Sequence, residues 1–368
     1  MQSAAFGNAA VMNATNAPFE IMKFPLPKVE PGAILVKIKM TTICGTDIHR
    51  WKGEALAPTP TILGHESTGV VYELGDGVNT DASGKPLRPG DRIAYSYIWW
   101  CGHCYYCRIK KEPNACTDRI QLNGTVSCAN PPHFNGSFGE YLYLRPGQVA
   151  FKVSDELPDE LVAPLNCGLS TVMKGLERVG VEFGDRVVVQ GAGALGLYAT
   201  ALAKEMGASK VIVIDLVDER LRMAEEFGAD YTINALQFKE EKDRINEVKR
   251  LTNNNGADLA VEVAGIPTVI PEGLQMLRRF GRYLEVGCIG EQSFVPINVF
   301  WILRDLLKVV GTKNYEPETI LKALEFLANA RDRYPFEKLV TYKFPLAKIN
   351  EAFKVAAAKN TIRVALTP

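Results

Sequence analysis

The segment from Arg186 to Asp215 constrains this chain most. A β-branched run, Arg186-Val-Val-Val-Gln190, leads into Gly191-Ala-Gly193-Ala-Leu195-Gly196, and an apolar helical pattern follows. A second apolar strand, Lys210-Val-Ile-Val-Ile214, ends in Asp215, nineteen residues past Gly196. Glycines at this spacing between strand and helix, with an acid closing the next strand, make up a complete dinucleotide-binding arrangement. Gly191 makes the tight turn, Gly193 lets the backbone approach a pyrophosphate, and Gly196 permits close helix–strand packing. The amides at the helix start, Leu195 among them, are then expected against the pyrophosphate, where the helix dipole favours an anion. Asp215 suits the adenosine ribose hydroxyls and repels a 2′-phosphate, so NAD is expected over NADP. Arg220 is a candidate second ribose contact, and Arg220 with Arg222 leaves partial room for a phosphate. Glycine-rich turns also occur in doubly wound folds without a cofactor; here strand, spacing and acid agree.

The surroundings fit that unit. Between Asp185 and Gly311, short apolar strands at 187–190, 210–214, 231–233, 259–263, 282–286 and 307–310 alternate with helical stretches. Those stretches cover 195–206, 218–227, 239–252, 268–280 and 299–305. This alternation predicts a parallel sheet with helices on both faces. The first 165 residues are instead β-rich, with β-branched runs at 34–40 and 68–74 and turns at Pro31-Gly32, Gly75-Asp76-Gly77 and Pro89-Gly90-Asp91. The tail carries helical patterns at 319–329 and 348–358 and strands at 339–344 and 362–366. It is expected to rejoin the first domain, since so short a segment buries no core alone. The expectation is an α/β chain with one domain from 1–165 and 312–368 and a dinucleotide domain at 166–311.

Charge narrows the partners. Lys+Arg 42 balances Asp+Glu 42, so the basic footprint of a nucleic-acid binder is missing. The apolar stretch 187–203 is interrupted by three glycines and falls short of the ~20 residues needed to span a bilayer. No Lys or Arg precedes Lys23, unlike the start of a secretory signal. A cytoplasmic protein is expected.

There are eight cysteines. Cys101, Cys104 and Cys107 are spaced C-x2-C-x2-C, and Cys116 follows in the same loop. Four thiolates on one lobe can close a tetrahedral structural zinc site; the alternative is four unrelated thiols. His103, inside the loop, reads as an exposed bystander. Three further residues are dispersed: Cys44 in Cys44-Gly-Thr-Asp-Ile-His49, His65 in Gly64-His65-Glu66, and Cys167 in Asn166-Cys167-Gly168. Local spacing does not make them converge, and each could be an ordinary packing residue.

Taken in order, Cys44-Gly-Thr-Asp, Gly64-His-Glu, the four-cysteine loop, Cys167-Gly-Leu-Ser-Thr171 and the Gly191 motif resemble the zinc-containing medium-chain alcohol dehydrogenases across essentially the whole chain. The resemblance implies a GroES-like β-barrel catalytic domain plus a Rossmann domain. It implies two Zn2+ per subunit: a catalytic one on Cys44, His65 and Cys167, and a structural one on Cys101, Cys104, Cys107 and Cys116. Glu66 would stand behind the catalytic zinc and Asp47 would orient His65. Thr46 would be the relay hydroxyl and His49 its outer base. Thr171 and Val286 would lie on the nicotinamide side, and Arg363 would pair with the pyrophosphate. The implied reaction is reversible hydride transfer between an alcohol and NAD, with zinc stabilising the alkoxide. A homodimer or homotetramer is also implied.

Two departures stand out. Gly45 occupies a position where many relatives carry a basic pyrophosphate contact, and the four-cysteine loop has one residue more than the common spacing before Cys116. Trp51, Tyr97 and Phe134 are expected near the pocket, where aromatic walls suit a bulky or cyclic secondary alcohol. Two other readings compete: a zinc-free quinone or enone reductase of the same superfamily, which needs no Cys44–His65–Cys167 set, and a non-catalytic dinucleotide-binding protein.

Overall fold

In the computed structural model, residues 5–290, 293–358 and 361–368 are described. They divide into two compact units. Unit 1 comprises Met1–Cys167, Glu316–Ala330 and Phe336–Pro368; unit 2 comprises Gly168–Tyr315 and Arg331–Pro335. These boundaries lie a few residues beyond the expected ones, and the short turn at 331–335 goes to unit 2. Among the described residues no helix is long and apolar enough to cross a membrane.

Unit 1 is built on β-sheet. Its seven-stranded sheet runs in the order Ala150–Lys152, Arg92–Tyr95, Glu66–Leu74, Ile34–Thr42, Arg363–Thr367, Val340–Pro345, with Tyr141–Leu144 also pairing with Ile34–Thr42. Phe6–Met12 pairs with Glu20–Pro25 and Thr61–Ile62 in a smaller sheet. This N-terminal pairing was not expected from the sequence. Its cues are weak: Phe6–Met12 is mostly small residues, yet Ala9, Ala10, Val11 and Met12 are fully buried. The core beneath combines Leu35, Ile62, Leu63, Phe134, Phe138 and Phe353.

Strand register brings three distant segments to one edge of this sheet. Thr42 lies opposite Glu66, so the chain leaving one strand toward Cys44 and the chain entering the next at His65 emerge at the same edge. The C-terminal strand lays Ala365 against Thr42, and Ile43 donates its N–H to Val364 at 2.9 Å. The tail therefore reaches that edge too. Just beyond it, helix α1 (Gly45–Trp51) starts with Cys44 as its N-cap residue. This helix was also missed in the sequence, because glycine opens it and no run of strong helix formers follows.

Unit 2 holds six parallel strands: β1 (Arg186–Gln190), β2 (Lys210–Asp215), β3 (Tyr231–Asn234), β4 (Ala257–Glu262), β5 (Leu277–Glu285) and β6 (Lys308–Gly311). Their order, β3-β2-β1-β4-β5-β6, is that of a Rossmann dinucleotide sheet. Val187, Val188 and Val189 of β1 are fully buried, as expected for a central parallel strand covered on both faces. One boundary differs. The helical pattern expected over 268–280 stops at Met276, and β5 begins at Leu277. The β4–β5 register shifts between Ala257 and Leu259, and Phe280 adopts φ +59° beside Gly281. This irregular start of β5 hides its period-2 pattern behind apparent helical spacing.

Candidate metal and dinucleotide sites

The first site sits at the shared edge of unit 1. Cys44, His65, Glu66 and Cys167 each offer a donor atom, and these atoms lie within 4.8 Å of one another. The sulfurs of Cys44 and Cys167 are 3.9 Å apart, and His65 Nε2 is 3.3 Å from the Cys167 sulfur. Cys44 and His65 arrive through the strand register. Cys167 arrives on a wide π-helical turn, Leu165–Leu169, tied to the same strand by Asn166 Nδ2 donating to the Ser67 carbonyl at 3.4 Å.

Asp47, fully buried, orders this edge. One carboxylate oxygen accepts the Cys44 N–H at 2.9 Å; the other accepts the Gly64 N–H at 3.1 Å and His65 Nδ1–H at 3.3 Å. The bond to Nδ1 sets the tautomer that leaves Nε2 facing the sulfurs. Tyr97 covers the other side of the ring, with centroids 4.7 Å apart.

Behind the set, Glu66 is fully buried. Its Oε2 accepts the Thr42 hydroxyl at 2.6 Å and is ion-paired with Arg363 Nη1. Burial pushes the Glu66 carboxyl up to about 8 against the pull of Arg363. The contact with Cys167 holds the Cys44 thiol well below its ordinary value, and the same contact pushes Cys167 well above. Burial opposes charge on His65, but Asp47 and Cys44 outweigh it and hold the imidazole well above its usual value.

These residues fit a divalent cation. Two thiols, an imidazole and a carboxyl crowd into a buried space where only protons hold them together, and Glu66 Oε1 has no hydrogen-bond partner. A cation would take the place of those protons. Two sulfurs and one nitrogen are a zinc-type donor set that leaves a fourth position open.

The second cysteine group also converges. The sulfurs of Cys101, Cys104, Cys107 and Cys116 lie within 4.8 Å of one another, with Cys101 and Cys116 3.6 Å apart. The π-helical turn Tyr106–Lys110, the wider winding that absorbs an added residue, carries Cys107. Four sulfurs leave no open position. His103 is exposed, with Nδ1 2.8 Å from the Cys101 carbonyl.

In unit 2 the glycine turn is as the spacing predicts. Gly191 has φ +109°, and a Cβ there would sit 2.9 Å from Ala264 Cα; one on Gly196 would sit 1.9 Å from the Gly191 carbonyl oxygen. A Cβ on Gly193 would meet nothing within 4 Å, so the space over the turn is open at the start of helix Ala194–Glu205. That opening fits a pyrophosphate on the helix amides. Asp215 does more than expected: its Oδ2 accepts the Ala192 N–H at 2.7 Å, and its Oδ1 accepts the Leu216 and Val217 N–H groups at 2.8 and 3.0 Å. It braces the turn as well as ending β2. Thr171 lies in the first turn of helix Ser170–Val179, and Val286 is buried just past β5. Arg220 is half-buried early in helix Asp218–Glu226, while Arg222 is exposed, 3.8 Å from Glu219.

Several expectations change. Arg363 is buried on Glu66 rather than presented to a phosphate, because a buried carboxyl beside two thiols demands a counter-charge. Phe134 is fully buried against Phe24 and Tyr141 in the core of unit 1. Trp51 packs on Phe353 and donates its indole N–H to the Ala17 carbonyl at 2.8 Å. Of the three expected wall aromatics, only Tyr97 touches the His65 site. Thr46 and His49 stand three residues apart on α1, and His49 Nδ1 lies 2.5 Å from Glu54 Oε2. The roles of Thr42, Glu54 and Asn166 were missed. Strand pairing hints at Thr42, while the other two have no local signal.

Residues 30–155 match the alcohol dehydrogenase GroES-like domain and residues 194–329 the zinc-binding dehydrogenase domain. The chain is 34% identical to 5-exo-hydroxycamphor dehydrogenase of Pseudomonas putida, over 97% of this chain and 98% of that protein. It is 32% identical to sorbitol dehydrogenase of Bacillus subtilis, over 95% and 93%. An alcohol dehydrogenase structure from Thermotoga maritima matches with TM-score 0.94 and 31% identity, covering 99% of this chain and all of that one. By motif order, sheet topology and this likeness along nearly its full length, the chain belongs to the zinc-containing medium-chain alcohol dehydrogenases, oxidoreductases acting on CH–OH groups.

Proposed function

We propose that this protein transfers hydride reversibly between a secondary alcohol and NAD, using a zinc ion held by Cys44, His65 and Cys167, while Cys101, Cys104, Cys107 and Cys116 hold a second, structural zinc. The convergence of two sulfurs and an oriented imidazole on one buried point carries this reading. When bound, zinc supplies Lewis-acid stabilisation of negative charge on the substrate oxygen, and the nicotinamide accepts the hydride.

The chain's own residues do the rest. Asp47 keeps Nε2 of His65 directed at the donor set, and the Glu66–Arg363 pair sets the charge behind it. Thr46 accepts the alcohol proton as it gives up its own hydroxyl proton toward His49, which releases a proton to solvent; their i,i+3 spacing puts both on one side of α1. Glu54 steadies the His49 ring. The Gly191–Gly196 turn and the start of its helix, with Leu195, bind the pyrophosphate. Asp215 and Arg220 bind the adenosine ribose, and Thr171 and Val286 bound the nicotinamide. The carboxylate at Asp215 favours NAD over NADP. Cyclic secondary alcohols, the class to which 5-exo-hydroxycamphor belongs, are the first substrates to try. We assign a cytoplasmic homodimer or homotetramer: the family supports the assembly, and cysteines gathered as metal ligands instead of disulfides support the compartment.

The test is NAD and NADP reduction by zinc-loaded protein across linear, cyclic, aromatic and polyol alcohols. NAD reduction with a cyclic secondary alcohol is expected. No reduction with any alcohol would overturn the proposal in favour of a non-catalytic protein, and enone reduction by zinc-free protein would favour the reductase.

A further inference from the structure

At the carboxyl edge of unit 2, β4 and β5 end side by side in Glu262 and Glu285, which are register partners. Carboxyl oxygens of the two and the Cys288 sulfur lie within 4.8 Å of one another. Glu262 is fully buried, yet both its oxygens are engaged with turns. Oε1 accepts the Gly265 N–H at 2.7 Å; Oε2 accepts the Gly287 N–H at 3.1 Å and lies 3.8 Å from the Cys288 sulfur. Its main-chain carbonyl accepts the Val286 and Gly287 N–H groups, both at 3.1 Å. Glu285 Oε1 accepts the Cys288 N–H at 2.9 Å. The two carboxyls thus stitch the turn after β4 to the turn after β5.

Neither turn has slack. A Cβ on Gly287 would lie 2.4 Å from Glu262 Oε2, and Gly265 has φ +70°. Ala264, in the first turn, is the residue that packs under Gly191 of the pyrophosphate turn. One buried side chain therefore ties two neighbouring strand ends together on the edge where a Rossmann sheet binds its ligand. Hydride transfer does not call for a carboxyl here, and an apolar residue would be easier to bury. Two carboxyl groups this close disfavour a second negative charge.

We propose that Glu262 is a positioning residue for the nicotinamide half of the cofactor: its carboxyl, set beside that of Glu285, fixes the turns that carry Val286. This rests on the reading of Val286 as a nicotinamide-side contact. The titratable groups facing Glu262 are Glu285 and Tyr283 from β5 and Cys288 beyond it. Glu272, on helix Ile270–Met276, faces Tyr283 and is held by Arg244 at 2.7 Å. Burial, with Glu285 beside it, pushes the Glu262 carboxyl up to about 7. Below that pH Glu262 holds its proton. Above it the pair repels, the half-buried Glu285 turns away, and the turn at Gly287 loosens.

The experiment is titration of the zinc-loaded protein with NADH and with ADP-ribose, which lacks the nicotinamide, from pH 6 to 9. In the wild type the ratio of NADH affinity to ADP-ribose affinity should fall about tenfold across that range, the worth of about one buried hydrogen bond. In Glu285→Gln, which cannot repel, the ratio should stay flat. In Glu262→Ala it should already be about tenfold lower at pH 6, with ADP-ribose affinity within twofold of wild type. A wild-type fall in ratio that persists in Glu285→Gln, or an unchanged ratio in Glu262→Ala, overturns the proposal. If Glu262→Ala fails to fold by circular dichroism, Glu285→Gln decides alone, since Glu285 is partly exposed and holds one turn amide. A wild type that binds neither ligand overturns the dinucleotide reading itself, and is recognised by loss of ADP-ribose binding.

Discussion

Replacing Asp47 with Asn separates two roles that the geometry superimposes. Asp47 accepts three hydrogen bonds: from the Cys44 N–H at 2.9 Å, the Gly64 N–H at 3.1 Å and His65 Nδ1–H at 3.3 Å. Asn keeps one acceptor oxygen. Its amide NH2 must then face at least one of these donors, in a position with no solvent access. Losing a hydrogen bond to a charged acceptor costs roughly 1.5–3 kcal/mol, and the unsatisfied donor adds to that, so a total near 3 kcal/mol is expected. Part of this falls on stability, because Asp47 also caps α1. The rest falls on the metal, because His65 loses the charge that orients it, and such losses weaken metal affinity about 10- to 100-fold. The assay is zinc affinity by chelator competition, with thermal unfolding alongside. A drop in melting temperature with zinc affinity within twofold of wild type would refute the reasoning: Asp47 would then be a helix cap and nothing more.

Three further outcomes are expected. Thr46→Val should lower turnover at least tenfold while leaving zinc content unchanged, because only the proton route is interrupted; metal analysis beside steady-state rates checks this. Gly45→Arg should slow NADH release about tenfold in stopped-flow measurements. A Cβ at Gly45 meets nothing within 4 Å, so the site accepts the side chain, and an arginine supplies the missing phosphate partner. Burial works against charge on Asp258, but Arg186 and Arg278 outweigh it and hold the carboxyl at about 2, below the roughly 3.9 of an unfolded chain. Its contribution is therefore present above about pH 4 and lost as pH falls toward 2. Asp258→Asn should lose about 1 kcal/mol less than wild type between pH 5 and pH 3 in urea unfolding.

How much could be read from residue order alone differs between the two units. In unit 2, strand, turn and helix are consecutive, so the Gly191 motif and Asp215 declare themselves through local spacing. The same holds for the Cys101–Cys116 loop, whose donors sit within one short segment. Cys44, His65 and Cys167 are separated by whole strands. They meet because Thr42 pairs with Glu66 and because Asn166 bonds the same strand, and neither relation leaves a periodic trace. Only the family resemblance anticipated that set. Arg363 shows the limit of resemblance: there it is a pyrophosphate contact, while strand register brings it onto Glu66. Aromatic residues mislead for a related reason. Trp51 and Phe134 were expected beside the pocket, yet helix and core geometry turns them into packing. The irregular start of β5 escaped because a bulged strand with a positive-φ Phe280 breaks the strand period and mimics helical spacing.

Zinc content per chain, measured on purified wild type and on Cys167→Ser, bears most directly on the arrangement at the Thr42–Glu66 edge. Two equivalents in the wild type are predicted, falling to one in the variant with the fold and the Cys101–Cys116 zinc retained. Two equivalents in both proteins, or a single one in the wild type that the substitution leaves in place, would contradict it.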